Sequence, residues 1–302
     1  MTTQKKNLSP VPYIALLGAV LLWSSSFVAM KIGLSHFDPN VLIFGRMLIG
    51  SICLIPLFGY LTRVQYKAGD WKPLCFMAFC EPFLYFVFES HALKYTSAAQ
   101  AGMVTSLLPL FVGIAAIPFL KEKISRWMMA GFLLAVAGVI WLSLSGETTE
   151  NAPAPVLGNI LEALAMASAT GYVIMLKRLS FRYSSNFLTA FQAVAGAAFF
   201  FPLLFLPTTV IPTHFPTEGV LSVVYLGSIV TLGGYGLHNY AVSQIPASQS
   251  TAFINLIPVF TVFLGWLVLG ETFTGQQMIA SGLVLAGIFL SQKKTRPASQ
   301  AS

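Results

Sequence analysis

Residues 107–125 read LLPLFVGIAAIPFLKEKIS and residues 255–275 read NLIPVFTVFLGWLVLGETFTG, and these two stretches decide the fold. In each, a proline inside an apolar run is followed thirteen residues later by a glutamate. A gapless shift of 149 positions superimposes them and places Gln100, Pro109 and Glu122 on Gln249, Pro258 and Glu271. Such a match predicts an internal duplication.

The composition excludes a water-soluble protein. Of the 302 residues, 56% are apolar and only 9% are charged, whereas roughly a quarter of an ordinary globular protein is charged. Disorder and coiled coils are excluded by the same figures. The three cysteines, Cys53, Cys75 and Cys80, lie in apolar segments without histidines at metal-ligand spacing, which predicts buried thiols and neither a disulfide scaffold nor a zinc site.

Ten apolar stretches are long enough to cross a bilayer, since a spanning helix needs about 20 apolar residues. The first stretch lacks a cleavage site of small residues and is kept as a span rather than a signal peptide. The predicted spans are 11–33, 39–61, 73–94, 97–120, 126–145, 155–177, 186–207, 217–241, 246–269 and 274–291.

The positive charges predict the orientation, because basic loops are retained on the cytoplasmic side. Alternate connections carry fourteen basic residues on one side, while the other side has only Lys31 and Lys94, and Arg46 lies inside a span. Both termini are therefore expected in the cytoplasm, in the cytoplasmic membrane. The net charge of +7 is explained by these loops without nucleic acid as a partner. The fourteen are Lys5, Lys6, Arg63, Lys67, Lys72, Lys121, Lys123, Arg126, Lys177, Arg178, Arg182, Lys293, Lys294 and Arg296.

The predicted fold is all-α and integral to the membrane, with ten transmembrane helices in two inverted five-helix repeats. The first repeat spans residues 1–145, an external linker 146–154, and the second repeat with a cytoplasmic tail 155–302. Because five is odd, the second copy must enter the membrane in the opposite sense. Inverted repeats are a transporter architecture, in which two similar halves exchange inward-open and outward-open shapes around a shared site.

Four motifs resemble the EamA-type family of the drug/metabolite transporter superfamily. They are WSSSFVAMKIG from Trp23, FGR around Arg46, and the two proline–glutamate stretches quoted above. The resemblance covers nearly the whole chain. It implies ten helices, a central cavity between the halves, and movement of small metabolites, often outward export of amino acids or their derivatives. Two glutamates in span three, Glu81 and Glu89, depart from the features expected of this family.

Ionisable residues inside spans are the first candidates for a site, because they are costly in lipid and usually face a cavity or a partner. Glu81, Tyr85 and Glu89 lie at i, i+4 and i+8 on one face of span three. A carboxyl withdrawn from water can take up and release a proton near neutral pH, which suits proton coupling or recognition of a cationic amine. Pro82 is expected to open the helix beside Glu81. Alternatively, Glu89 simply pairs with Arg46.

The second repeat offers different polar residues at helical spacing, namely Tyr235 and His238 together with Thr231 and Asn239. An interfacial or structural histidine is an equal alternative for His238. Trp23 and Ser26 are candidates for cavity lining near the middle of span one. Tyr172 is a candidate of the same kind on span six, and Asn255 could bind a substrate or another helix.

Three further features have mechanical interpretations. Pro109 and Pro258 are predicted to bend matched helices and to act in gating. Glu122 and Glu271 are expected to cap the helices that follow them. Gly282 and Ala286 form a strip of small residues suited to close packing, either inside the bundle or between protomers.

Sequence motifs for enzymes are scarce, since HExxH, Walker and GxSxG patterns are missing from the sequence. The prediction is a non-enzymatic secondary transporter for small amphipathic metabolites, with no cofactor and with proton coupling as an option. The alternatives are a broad-specificity drug efflux carrier and an integral-membrane transferase that would use Glu81 and His238. The expected partners are a small-molecule substrate and the lipid bilayer, and the chain is expected to be a monomer or homodimer.

Overall fold

A computed structural model of the chain describes residues 10–57, 66–120, 126–245 and 253–291, and within these ranges the regular secondary structure is helical. The predicted cap Glu122, and Gln249, the counterpart of Gln100, lie outside the described residues. The same is true of eight of the basic residues used for the orientation, namely Lys5, Lys6, Arg63, Lys121, Lys123, Lys293, Lys294 and Arg296.

The described helices follow the predicted spans closely. Two of them, α3 and α8, contain an irregular stretch, and α4 contains a 3₁₀ turn at Thr105–Leu107. The bounds are α1 Val11–Leu34, α2 Pro39–Cys53, α3 Trp71–Tyr95, α4 Ala98–Val104 continued by Leu108–Leu120, α5 Arg126–Leu144, α6 Pro155–Leu179, α7 Ser185–Phe200, α8 Thr217–Gln244, α9 Ile257–Leu269 and α10 Gly275–Ser291.

Seven of these described segments are long and apolar enough to cross a membrane, while α2, α9 and α10 are shorter apolar helices. The predicted spans 39–61 and 186–207 extend beyond the regular helix. After α2 and α7 the chain forms the 3₁₀ turns Ile55–Leu57 and Pro202–Phe205. Pro56 and Pro202 lie in these turns, where their missing N–H groups interrupt the regular backbone hydrogen bonds of the helix.

The bundle has two ends, which we name by the lysines found there. At the Lys31 end, α1 and α3 terminate and α6 begins, because the backbone N–H of Ala154 donates to the carbonyl of Tyr95. Residues 155–177 of α6 span about 33 Å at about 1.5 Å per residue. The Lys177 end, where α6 and α8 terminate, is therefore on the opposite side of the bundle.

The helices of the two halves have matching neighbours. Helix α1 packs against α8 and α9, and α6 packs in the same way against α3 and α4. Three further pairs, α2 with α7, α4 with α9 and α5 with α10, join helices at corresponding positions in the two halves. The irregular stretches Phe79–Leu84 of α3 and Leu226–Gly234 of α8 also occupy corresponding positions. These contacts make the centre of the bundle an interface between the halves.

Glycines allow α5 and α10 to approach closely. A Cβ on Gly131 would lie 2.4 Å from the carbonyl oxygen of Gly287, and one on Gly138 would lie 2.8 Å from the backbone nitrogen of Val284. Gly282 and Ala286 are exposed on the opposite face of α10, and a Cβ on Gly282 would meet nothing within 4 Å. The prediction that Gly282 and Ala286 support close helix packing inside the bundle is therefore wrong, because both residues face outward.

Candidate functional site

The central feature of the bundle is a cavity lined by residues of both halves. Nine of the ten residues predicted to bind substrate or to couple transport line it, and the tenth, Asn255, does not. Apolar side chains, among them Phe27, Phe86 and Met166, complete the walls. The nine are Trp23, Ser26, Arg46, Glu81, Tyr85, Glu89, Tyr172, Tyr235 and His238.

A break in α3 places Glu81 at the cavity. Glu81 has an extended backbone, with φ −149° and ψ 119°, and Pro82 follows it inside the helix. The irregular stretch Leu226–Gly234 of α8 ends directly before Tyr235, whose side chain lines the cavity with Glu81 and interacts with its carboxylate. The two helix breaks therefore bring a carboxylate of one half and a phenol of the other into contact.

Arg46 on α2 is almost completely buried and is held by uncharged groups. Its Nε donates to Thr231 Oγ1 at 3.0 Å, and its guanidinium carbon lies 4.3 Å from the centroid of the Phe86 ring. In the part of the chain that the structure describes, no carboxylate lies within ion-pair distance of Arg46. The predicted pairing of Arg46 with Glu89 is therefore wrong, although the guanidinium still attracts the carboxylates of Glu81 and Glu89 through space.

His238 lies in the aromatic wall of the cavity. Its ring centroid is 4.8 Å from that of Trp23, and its Nδ1 lies 3.4 Å from the Tyr172 hydroxyl. That hydroxyl donates to Asn239 Oδ1 at 2.9 Å, which orients the phenol. His238 is only 1% exposed, and its Nε2 has no hydrogen-bond partner among the described residues. The interfacial placement considered for His238 is therefore wrong.

Beyond Glu81, toward the Lys31 end, lies a second group of buried carboxyls. The Tyr85 hydroxyl donates to Glu89 Oε1 at 2.7 Å. Glu162 on α6 is fully buried and interacts electrostatically with Glu89. Sequence reasoning missed Glu162, although the rule that selected Glu81 and Glu89, an ionisable residue inside an apolar span, applies to it equally.

Several predicted residues occupy different surroundings from those expected. Asn255 is half-buried away from the cavity, and its amide has no partner among the described residues. The Ser26 hydroxyl donates to the Trp23 carbonyl of its own helix at 2.6 Å. Pro109 and Pro258 each occupy the second position of a helical segment, where the missing N–H group breaks no ladder bond. Their role in gating stays a prediction.

Glu271 caps a helix in the other half of the protein. Its two carboxylate oxygens accept hydrogen bonds from the backbone N–H groups of Ala98 and Ala99 at 2.8 Å each, at the start of α4. The following helix, α10, is capped instead by Thr274 and Gln277, which exchange backbone-to-side-chain bonds. The expectation that Glu271 caps the helix after it is therefore wrong.

The chain matches the EamA-like transporter family twice, over residues 11–144 and 156–292. It belongs to the EamA-like transporter family. Together with the long apolar helices, this membership makes the chain a membrane protein of a transporter family.

Similar proteins support the same assignment. The uncharacterized transporter YetK of Bacillus subtilis is 30% identical over 291 residues, which cover 94% of this chain and 88% of YetK. A probable terminal-alkyne amino-acid exporter of Streptantibioticus cattleyicolor is 26% identical over 282 residues, covering 93% of each chain. A solved crystal structure shares the fold, with a TM-score of 0.66 at 22% identity and coverage of 93% of this chain and 96% of the other.

Proposed function

We propose that the protein is a secondary carrier that exports amino acids, or similar small amphipathic metabolites, across the cytoplasmic membrane by alternating access. The single observation that supports this substrate class is that Arg46 and Glu81 line the same cavity as several aromatic side chains. A guanidinium suits a carboxylate, and a carboxylate suits an ammonium group. The aromatic rings of Trp23, Tyr172 and Tyr235 suit an apolar side chain between or beside these charges.

The proposed mechanism uses two inverted five-helix repeats, with ten transmembrane helices in all. Three findings support it: the two family matches, the corresponding neighbours of the helices in the two halves, and the opposite directions of corresponding helices. Helices α1 and α3 end at the Lys31 end, whereas α6 and α8 end at the Lys177 end. Rocking of the halves about the cavity would expose it to each face in turn.

A second candidate is broad efflux of cationic drugs. The bundle buries three carboxyls, Glu81, Glu89 and Glu162, and one guanidinium, Arg46, and this excess of acidic groups favours a cation over a zwitterion. The two candidates differ in the part played by Arg46, because a cationic drug has no carboxylate for it to bind.

Counterflow in proteoliposomes separates the candidates. Vesicles loaded with one unlabelled amino acid should take up the same labelled amino acid, while its methyl ester and its N-acetyl derivative should compete at least about tenfold less well, since each lacks one charge. Arg46→Gln should erase the discrimination against the ester, and Glu81→Gln that against the N-acetyl form. Equal transport of the ester by the wild type and by Arg46→Gln would favour the cation carrier. Absence of counterflow with any amino acid would contradict the exporter.

Cysteine labelling tests the proposed orientation. In a background with Cys53, Cys75 and Cys80 replaced by alanine, single cysteines at Lys67 and Ser180 should react with an impermeant maleimide only from the cytoplasm. A cysteine at Asn151 in the linker should react only from outside. Reaction of the Lys67 and Ser180 cysteines on opposite faces would contradict the inverted repeat.

A further inference from the structure

We infer that Glu89 and Glu162 form a proton-binding carboxyl pair that links the two halves of the protein, a site distinct from the substrate contacts of Arg46 and Glu81. This inference rests on the proposed carrier function and adds its coupling ion. Its ligand class is a single proton, held between two carboxyls and supplied by water.

The first observation is that both carboxyls are buried and incompletely bonded. Glu162 is 0% exposed and Glu89 is 1% exposed. Both oxygens of Glu162, and Oε2 of Glu89, have no hydrogen-bond partner among the described residues. Two neighbouring buried carboxylates repel each other and lack water to solvate them, so that a shared proton is the arrangement that satisfies both. One carboxyl then donates to the open oxygen of the other.

In the described part of the chain, no basic group lies within ion-pair distance of the two carboxyls. The titratable or charged residues on the surrounding helices include Glu81, Tyr85, His91, Lys94 and Tyr95 on α3, Arg46 on α2, Lys31 on α1, Tyr172 on α6, and Tyr235 and His238 on α8, while the described side chains of α4 include none. Arg46 is bonded to Thr231, and Lys31 donates to carbonyl groups at the end of α3. Tyr85 donates one hydrogen bond, to Glu89, and leaves Glu162 unbonded.

A metal ion is a poorer fit than a proton. Among the described residues, no group of three or more histidine, cysteine, aspartate or glutamate side chains is placed to hold a metal. A hard cation such as Mg²⁺ or Ca²⁺ needs about six oxygen ligands, and two carboxyls in an apolar interface provide too few.

The position of the pair explains how a proton would control access to the cavity. Glu89 belongs to α3 in the first half and Glu162 to α6 in the second, and these two helices pack against each other. Glu89 lies about 9 Å, and Glu162 about 10 Å, from the Lys31 end of its helix. Protonation removes the repulsion and permits the halves to close at that end. Loss of the proton charges both carboxyls and favours separation there, which admits water.

Infrared spectroscopy of the reconstituted protein tests the shared proton directly and without substrate. We expect the wild type near pH 7 to show a carbonyl band of a buried protonated carboxyl. Glu89→Gln and Glu162→Gln should each shift the band, because the carboxyl that remains is still buried and protonated but has lost its carboxyl partner, and the double variant should remove the contribution of the pair. Glu147→Gln, at an exposed linker position, is the control and should leave the band unchanged. An unshifted band in Glu162→Gln, or an unchanged band in the double variant, would overturn the inference.

Transport then tests coupling. A gradient of one pH unit should support about tenfold accumulation of a labelled zwitterion if one proton is exchanged per substrate. In Glu162→Gln the ratio of accumulation with and without the gradient should fall to about one, whereas Glu162→Asp, which keeps the carboxyl, should retain a ratio above one. An unchanged ratio in Glu162→Gln would overturn coupling through the pair. Absence of transport by the wild type would instead contradict the proposed function, and the infrared measurement alone would then test the carboxyl pair.

Discussion

Lys31 and Lys177 make the same contact at opposite ends of the bundle. Lys31 Nζ donates to the carbonyl oxygens of Leu93 and Thr96 at the end of α3, at 2.6 and 2.7 Å. Lys177 Nζ donates to those of Val242 and Ile245 at the end of α8, at 2.7 and 3.0 Å. Each ammonium group thus binds the terminal carbonyls of a helix, where the helix dipole is negative. The two lysines are 146 positions apart, a shift that also places Arg46 on Gln192.

Replacing either lysine should destabilise the folded protein. Lys31→Met and Lys177→Met should each lower the free energy of unfolding by about 1.5–3 kcal/mol, because each removes charged hydrogen bonds to helix-terminal carbonyls. The measurement is thermal or denaturant unfolding of the purified protein in detergent. Lys94→Met and Arg178→Met are matched controls at exposed positions near each lysine and should change stability by less than about 0.5 kcal/mol. Equal effects of variants and controls would contradict the capping role.

Variants of two buried threonines test whether Thr231 positions the guanidinium of Arg46. Thr231→Val should lower stability by about 1–3 kcal/mol, since Thr231 Oγ1 accepts from Arg46 Nε and donates to the Leu226 carbonyl, and valine does neither. It should also weaken substrate binding in counterflow competition. Thr261→Val is the matched control, because Thr261 is equally buried and its hydroxyl has no partner among the described residues.

The control variant should be neutral or slightly stabilising, since valine has the shape of threonine and leaves no polar group unpaired. If Thr231→Val and Thr261→Val had the same effect on stability and on competition, Thr231 would not position the guanidinium.

The spans could be predicted from the sequence, but the contacts within the cavity could not. The hydropathy of a segment is the sum over its own residues and does not depend on the helices that pack against it, so the long apolar helices were predictable. The break in α3 had a local signal in Pro82, whereas the break at Leu226–Gly234 contains no proline. Arg46 contacts Thr231 rather than Glu89 because the rotation of α2 depends on its packing against α8, which helical spacing within one segment does not report.

Glu271 should hold the Lys31 end closed. It belongs to the connection between α9 and α10 and binds the first N–H groups of α4, so it ties the second half to the first. Glu271→Gln removes the negative charge at a helix N-terminus and one of two acceptors, a loss of about 1.5 kcal/mol or more, and should increase the population open at that end by about tenfold.

The readout is the reaction rate of a cysteine at Ser26 in the cavity with an impermeant maleimide, in the background without native cysteines. The rate should rise about tenfold with Glu271→Gln when the reagent is added at the face that carries the Lys31 end, and should not rise from the opposite face. Thr272→Val, at the exposed neighbouring position, is the control. An unchanged rate at both faces would show that Glu271 caps α4 without gating the cavity.

The contact between α5 and α10 should tolerate no added methyl group. A Cβ at Gly131 would lie 2.4 Å from both the Gly287 carbonyl oxygen and the Ser291 nitrogen, and backbone atoms cannot rotate away as a side chain does. Gly131→Ala should therefore lower stability by about 1–3 kcal/mol or more through overpacking.

Gly282→Ala introduces the same methyl group on the outer face of α10, where no atom lies within 4 Å. That variant should be neutral or stabilise by up to about 1 kcal/mol, because alanine favours a helix over glycine. Unfolding of both variants in detergent measures the difference, and equal midpoints would mean that the two helices are not held at this glycine contact.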